Sequence, residues 1–197
     1  MQYFATLPKI LTSDNQNNSI ILTNLLARAS VIDSIMQDPL LYYTYDIQEG
    51  DTPEIIAHKY YGDMYRYWIV LMVNQTLDPQ WDWPMTGEVF EKYVADKYNF
   101  DPHATIHHYE KITQQYDNST GSSATWVSVI GDMEYNDFTP DTKTYNLPTG
   151  QVTVTTSKRA VDYYTYEFEK NESKRNIKLL NKNYASEFET DFKKLMS

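Results

Sequence analysis

The sequence predicts an α+β fold in which a strand-helix-helix-strand unit is joined by an N-terminal helix, a small β-rich middle lobe and a C-terminal helical segment. Three observations carry this reading. Between Tyr43 and Thr86 a short alternating run turns at Gly50-Asp51-Thr52-Pro53 and gives way to two helical runs separated by Tyr61-Gly62-Asp63. After residue 98 the composition shifts to Thr, Ser, Asn, Asp, Gly and Pro. Near the C-terminus Tyr184, Phe188, Phe192 and Leu195 recur at helical spacing. The 197 residues divide accordingly into 1–40 (arm and helix), 41–98 (the unit plus a following helix), 99–157 (the β-rich lobe) and 158–197 (a C-terminal helical docking segment).

Taken in order, residues 1–19 read as an arm, because Pro8 and the polar run Thr12-Ser13-Asp14-Asn15-Gln16-Asn17-Asn18-Ser19 bury too little apolar area to order themselves. From Ile20 to Gln37 the residues Ile21, Leu22, Leu25, Leu26, Ala29, Ile32 and Met36 fall on one helical face, and Asp38-Pro39 stops that helix. Leu41 to Gln48 is a strand. Thr52 is placed to cap a helix with Pro53 at its first position, where a missing N–H costs nothing, and Gly62 closes it. The next helix, Asp63 to Asn74, is apolar on nearly every face and must be covered all round. A third helix runs from Thr86 to Tyr98. Thr125 to Ile130 and Gln151 to Thr155 are strands of the middle lobe. Tyr164 to Glu169 alternates like a strand, but its continuation Lys170 to Arg175 favours helix, and helix is the reading adopted. Asn176 to Leu180 is a short strand, and Asn183 caps the last helix.

Composition excludes several functions. The formal net charge is −10, which gives no basic surplus for phosphate backbones, so nucleic acid is not an expected partner. No stretch is long and apolar enough to span a bilayer. The run Ile20 to Ala29 is interrupted by Thr23 and Asn24 and follows an acidic, Asn-rich segment, unlike a signal peptide. With 0 cysteines, disulfides, thiolate metal sites and cysteine nucleophiles are out of the question, and assembly in a reducing cytoplasm fits. The 18 Tyr and 4 Trp supply large contact area with a polar handle, the chemistry of interfaces and also of cores.

No catalytic constellation stands out. His103, His107 and His108 cluster, but extended chain should point His107 and His108 to opposite faces, and no third ligand is well spaced. The carboxylates are scattered, Ser122, Ser123 and Ser128 lack a nucleophile elbow, and 6 glycines form no phosphate loop. Catalytic, cofactor and metal residues are therefore assigned to none. Lys174, Arg175 and Lys178 form a basic run suited to an acidic partner, or to local ion pairs with Glu169 and Glu172.

Two resemblances rest on these residues. Tyr45-Asp46-Ile47-Gln48-Glu49-Gly50-Asp51-Thr52, then Ile56-Ala57, Gly62, Ile69, Asn74 and Asp78-Pro79, resemble a LysM module. That resemblance implies two helices on a two-stranded antiparallel sheet, and binding of N-acetylglucosamine polymers in many members. Tyr67 to Asn74, Leu77-Asp78-Pro79 with Trp83-Pro84, Ile106 to Glu110, and Tyr166-Glu167 with Asn171 to Leu180 resemble the LysM-containing baseplate wedge subunit of T4-like contractile-tailed phages. The resemblance implies a structural, non-enzymatic virion protein of the tail baseplate. It would dock to other wedge proteins and tie neighbouring wedges into a ring around the hub, with the sheath-initiating subunit as a further candidate partner. The bulky apolar helix after Gly62 departs from sugar-binding LysM modules and disfavours glycan binding, although a cell-wall glycan-binding module is the alternative function.

The candidate partner interface follows from exposed or uncovered aromatics and cations: Tyr65, Tyr67, Trp68, Trp81, Trp83, Lys174, Arg175, Lys178, Phe188 and Phe192. Each buried aromatic removes about 150–250 Å² from water, at roughly 25 cal/mol per Å². Leaving Tyr65, Tyr67 and Trp68 wet would forfeit several kcal/mol. Their cover is either a partner or residues 86–98 and the C-terminal helix of the same chain.

Overall fold

The computed structural model describes residues 3–13, 15, 18–27, 29 and 38–196. It is a mixed α+β chain, with seven α-helices and three small antiparallel sheets among the described residues. Two compact units divide it. One comprises Met1–Thr86 with Glu172–Ser197, the other Gly87–Asn171, so the second is inserted into the first.

The first unit opens with a 3-10 turn at Tyr3–Ala5 and a hairpin of β1 (Lys9–Ser13) and β2 (Ser19–Thr23), paired from Lys9↔Thr23 to Ser13↔Ser19. This corrects the expected unstructured arm and the helix start at Ile20. Leu7 is buried and anchors the segment, and the β-branched Ile20, Ile21 and Thr23 take the pleated conformation that suits them. Of the rest of the expected helix, residues 24–27 form a turn instead, and 28 and 30–37 lie outside the described residues.

The centre of this unit is β3 (Tyr42–Asp46), α1 (Pro53–Tyr61), a 3-10 turn at Met64–Arg66, and α2 (Tyr67–Val73). Thr52 Oγ1 accepts from Ile55 N–H at 3.3 Å with Pro53 at the first turn, and Gly62 ends α1 in the left-handed region at φ 73°. A short helix α3 (Pro79–Asp82) then occupies the place where the closing strand of the unit was expected. The strand that pairs with β3 is β8 (Asn176–Leu180), in register from Tyr42↔Leu180 to Asp46↔Asn176. The ladder is prolonged at both ends by Ile47 N–H to Arg175 O at 2.9 Å and Asn181 N–H to Leu41 O at 2.8 Å. The two helices and this sheet therefore meet through a pairing that spans the whole insertion. The last helix, α7 (Ala185–Met196), begins after a turn in which Asn181, rather than Asn183, supplies the side-chain acceptor.

Two apolar clusters show how α2 is covered. Val70 joins Ile47, Ile56, Ala57, Ile177 and Leu179 on the sheet side. Trp68, Ile69 and Val73 join Leu7, Leu180, Ala185, Phe192 and Met196 on the other. The all-round apolar helix is thus enclosed by its own chain, with α7 and the N-terminal turn as the outer wall. Arg66 fastens that wall through Glu189 at 3.1 Å.

The second unit is a four-stranded antiparallel sheet in the order β5-β4-β7-β6, with β4 (Ile106–Asp117), β5 (Ser123–Ile130), β6 (Asp141–Leu147) and β7 (Gly150–Asp162). It also holds α4 (Gly87–Lys97), α5 (Asp132–Asp137) and α6 (Tyr163–Glu172), the last confirming helix over strand for residues 164–172. Phe90 of α4 meets Tyr164 and Phe168 of α6 edge-on. Buried Glu167 accepts from Lys97 Nζ and Tyr98 OH, each at 2.7 Å. Burial pushes the Glu167 carboxyl up, but those two donors outweigh it and the net shift is downward.

Asn74 ends α2 and reaches β8. Its Nδ2 donates to Val70 O and Lys178 O, and its Oδ1 accepts from Lys178 N–H, all at 2.8 Å. The side-chain amide thus stands in for a neighbouring strand on that edge of β8. Asn74→Ala should destabilise the first unit by about 1–2 kcal/mol. Asn74→Asp should give no rescue, because it sets a carboxylate against two carbonyl oxygens. Urea unfolding of the full chain checks both, and a variant as stable as wild type would show the amide to be dispensable.

Candidate docking site

The turn between β3 and α1 fixes the floor of the site. Gly50 holds φ 81°, a left-handed conformation that a side chain would strain. This brings the next residue, Asp51, back under β3, where it is buried. Asp51 Oδ2 accepts from Tyr45 OH at 2.6 Å and Gln48 N–H at 3.2 Å, and Oδ1 pairs with Lys59 Nζ at 2.6 Å. Burial alone would raise its pKa, yet Lys59, the Tyr45 hydroxyl and the Gln48 amide hold it below the ordinary carboxyl value. The same contact pushes Tyr45 up to about 12, chiefly because its hydroxyl donates to Asp51 and secondarily through burial. The Asp51 carbonyl receives Trp83 Nε1 at 2.9 Å, which ties the following loop to this turn.

That loop is rigid for its length. Asp78 caps α3 by accepting from Gln80 N–H at 3.0 Å, with Pro79 in the first turn. Asp82 closes the loop from the other side, accepting from Leu77 and Asp78 N–H, each at 3.0 Å, and these amides lower its pKa. The result presents Leu77, 90% exposed, and Trp81, 51% exposed, on a fixed support. Lys174 Nζ donates to the Trp81 carbonyl. Arg175 bonds both Glu172 oxygens at 2.8 Å and the Ile47 carbonyl at 3.2 Å. Trp81, Trp83, Lys174 and Arg175, far apart in sequence, are thus gathered around the 47–51 turn.

The other interface candidates are placed differently. Trp68 and Phe192 sit in the core with ring centroids 4.7 Å apart, and Phe188 stacks on Trp68 at 5.8 Å. Tyr67 is half-buried between the two clusters. Tyr65 is 49% exposed on the 3-10 turn. Lys178 faces outward, its Nζ 5.8 Å from the Tyr42 ring centroid and its backbone held by Asn74. Asp51 and Asn74 are the organising residues that a search for chemistry passes over. The signal for both lay in the Gly-Asp-Thr turn and the Asn…Asp-Pro element.

The arrangement presents exposed surfaces of contact at Leu77, Trp81 and Tyr65. The buried carboxylates Asp51, Glu110 and Glu167 each hold a cation. Among the described residues no three His, Asp or Glu side chains converge as a metal-ligand set. His107 and His108 do not diverge as extended chain predicts. A bulge between Ile106 and His108 turns both rings to one side, with their Nδ1 atoms 2.7 Å apart.

Comparison with known proteins agrees with this picture. A family described as base plate wedge protein 53 matches residues 12–195. The chain is similar to baseplate wedge protein gp53 of Enterobacteria phage T4, with 25% identity over 154 residues, covering 78% of this chain and 72% of that protein.

Because the Asp51 carboxyl is depressed in the folded state, its stabilisation is complete above its ordinary value of 3.8 and is lost as pH falls below it. Asp51→Asn should cost about 1–3 kcal/mol at neutral pH, since an amide cannot satisfy Lys59, Tyr45 and Gln48 together. The gap between wild type and variant should stay constant down to about pH 4 and narrow below it. Equilibrium unfolding across pH 3–7 measures that gap, and one that widens with acid would reverse the assignment.

Proposed function

The chain belongs to the base plate wedge protein 53 family, and on that premise we propose that it docks to other wedge proteins through the Leu77–Trp83 loop. It is a structural component of a phage tail baseplate in the virion rather than an enzyme, and it assembles with other baseplate proteins. The observation that carries the docking reading is the rigid presentation of Trp81 beside Leu77. A large aromatic held on a capped helix costs little ordering entropy on binding, which is the property of an interface anchor. Lys174 and Arg175 border the same surface and favour a partner with acidic groups at its rim. Tyr65 and the apolar faces of the β1–β2 hairpin, where Leu11 and Ile21 are 73% and 71% exposed opposite one another, provide further contact area. More than one exposed apolar surface suits a subunit that ties neighbouring wedges into a ring.

β3, α1, α2 and β8 amount to two helices on a two-stranded antiparallel sheet, as the LysM resemblance implies. We infer a LysM-like unit opened between its second helix and second strand by residues 87–171. The aromatic surface of its second helix is spent on the chain's own core, which supports a scaffolding rather than a sugar-binding use.

Trp81→Ala should weaken binding to co-expressed wedge proteins by about 2 kcal/mol, roughly 30-fold in Kd, with thermal unfolding nearly unchanged. The Lys174 bond survives the substitution, because its acceptor is the main-chain carbonyl. Trp83→Ala should instead destabilise the chain through loss of the Asp51 contact and of packing against the sheet-side apolar cluster. Equal effects of the two on both measurements, or retention of the protein on peptidoglycan with no affinity for wedge proteins, would overturn the docking assignment.

A further inference from the structure

At the start of β4 the pairing with β7 steps from Ile106↔Asp162 to His108↔Val161, which leaves His107 without a strand partner. The bulge lays the His107 ring flat on Tyr166 of α6, with centroids 4.0 Å apart, and edge-on to Tyr163 at 4.8 Å. From His107 a polar chain, exposed at both ends and with part-buried bonds at Glu110, runs across the inserted unit. His107 Nδ1 meets His108 Nδ1 at 2.7 Å, and His108 Nε2 meets Glu110 Oε1 at 3.1 Å. Glu110 Oε2 accepts from Arg159 Nε of β7 at 2.6 Å, and Arg159 closes a two-point contact on Glu169 of α6 at 2.7 and 3.1 Å. The chain therefore begins and ends on α6 and binds it to both central strands of the sheet.

Proton bookkeeping limits what this chain tolerates. An Nδ1···Nδ1 contact at 2.7 Å is a hydrogen bond only if one of the two nitrogens carries the proton and the other offers its lone pair. If His108 is neutral with its proton on Nε2 facing Glu110, His107 must donate from Nδ1. If His108 is protonated on both nitrogens, it donates from Nδ1 and His107 must be neutral. Both states are compatible with the geometry. A second proton, charging both rings, sets two N–H groups head to head and ends the bond.

We propose that the His107–His108–Glu110 chain is a latch that fastens α6 to the sheet and admits one added proton but not a second, so that acid weakens the fold because the unfolded chain takes up both protons and the folded pair only one. The charged and titratable groups around the pair are Glu110 on β4, Arg159 on β7, and Tyr163, Tyr166, Glu167 and Glu169 on α6, with Lys97 of α4 neutralising Glu167. Burial and then the charge of His108 lower the pKa of His107 from its ordinary 6.5, and Glu167 opposes them only in part. A histidine depressed in the folded state binds fewer protons there than when unfolded. Its contribution is complete above 6.5 and is lost as pH falls through that value. The Glu110 carboxyl, pushed up by burial but held low overall by Arg159 and His108, stays ionised in this range.

Urea unfolding of the full chain, followed by a probe of the inserted unit, tests the latch. Between pH 7.5 and 5.5 the wild-type midpoint should fall, and His107→Gln should remove at least half of that fall. A His58→Gln/His103→Gln double variant, which leaves the pair intact, should retain it. Imidazole 15N shifts of the wild-type chain give a readout independent of any variant. At pH 7.5 one ring of the pair should be protonated on Nδ1 and the other not, and down to pH 5.5 the pair should take up one proton rather than two. A flat wild-type midpoint, an undiminished fall in His107→Gln, or two rings titrating independently at ordinary values would overturn the proposal.

Discussion

The pairing of β3 with β8 is the constraint on which the first unit depends. Asp46 and Asn176, bonded through their side chains at 2.9 Å, lie 130 residues apart. Closing a flexible loop of that length costs about 4 kcal/mol, several times what one hydrogen bond returns. The chain meets this cost in two ways. The intervening residues 87–171 form a compact unit of their own, so the loop to be closed is not a flexible one. The return strand also brings Ile177, Leu179 and Leu180, all buried, to the two apolar clusters. Without β8 the sheet side of α2 has no floor, and α7, which follows β8 by a single turn, has no anchor.

From that closure follows the resolution of the most apolar helix in the sequence. A helix with Trp68, Ile69, Val70 and Val73 in succession presents apolar groups in every direction and cannot lie on a single surface. Here α1 and the two-stranded sheet take one side, and α7 with the N-terminal turn takes the other. Trp68, the largest side chain of that helix, is therefore internal rather than left for a partner. In the Leu77–Trp83 loop the exposed side chains are held out by local hydrogen bonding rather than left over from an incomplete core.

Much of the local structure is legible in the residues. Thr52, Pro53 and Gly62 bound α1 by capping chemistry that acts over three or four residues, and the spacing of Phe188, Phe192 and Leu195 marks α7. The Thr- and Val-rich runs of the middle lobe read as strands because β-branched residues have little else to do in extended polar chain. The misreadings have a common physical origin in information that is not local. Ile20 to Thr23 is a short apolar run compatible with either period, and a neighbouring strand decided it. Short loops favour a partner for β3 just after α2, and nothing within a sequence window points to residues 176–180. The bulge at His107 depends on register with β7, so alternation along β4 gave the wrong side for its ring. At the candidate docking site, tryptophan composition points to Trp81 and Trp83 alike, and what distinguishes them is that Trp83 bonds Asp51 and packs on the sheet-side cluster while Trp81 is half exposed.

Buried carboxylates do in this chain what disulfides and metals do in others. Asp51, Glu110 and Glu167 each join segments that are distant in sequence or that meet at a turn, each gathers a cation and at least one further donor, and each is held below the ordinary carboxyl range against the opposing effect of burial. Apolar contact alone would let a two-stranded sheet or a helix on a Thr-rich sheet slide, because dispersion has little directional preference. A carboxylate with three fixed donors admits one register. Their lowered pKa values mean that these ties persist well below neutrality, whereas the proposed histidine latch beside Glu110 is sensitive nearer to it. Acid therefore reaches the inserted unit before the turn under β3, and the surface built on Asp51 and Trp83 keeps its shape over a wider range of pH than the sheet does.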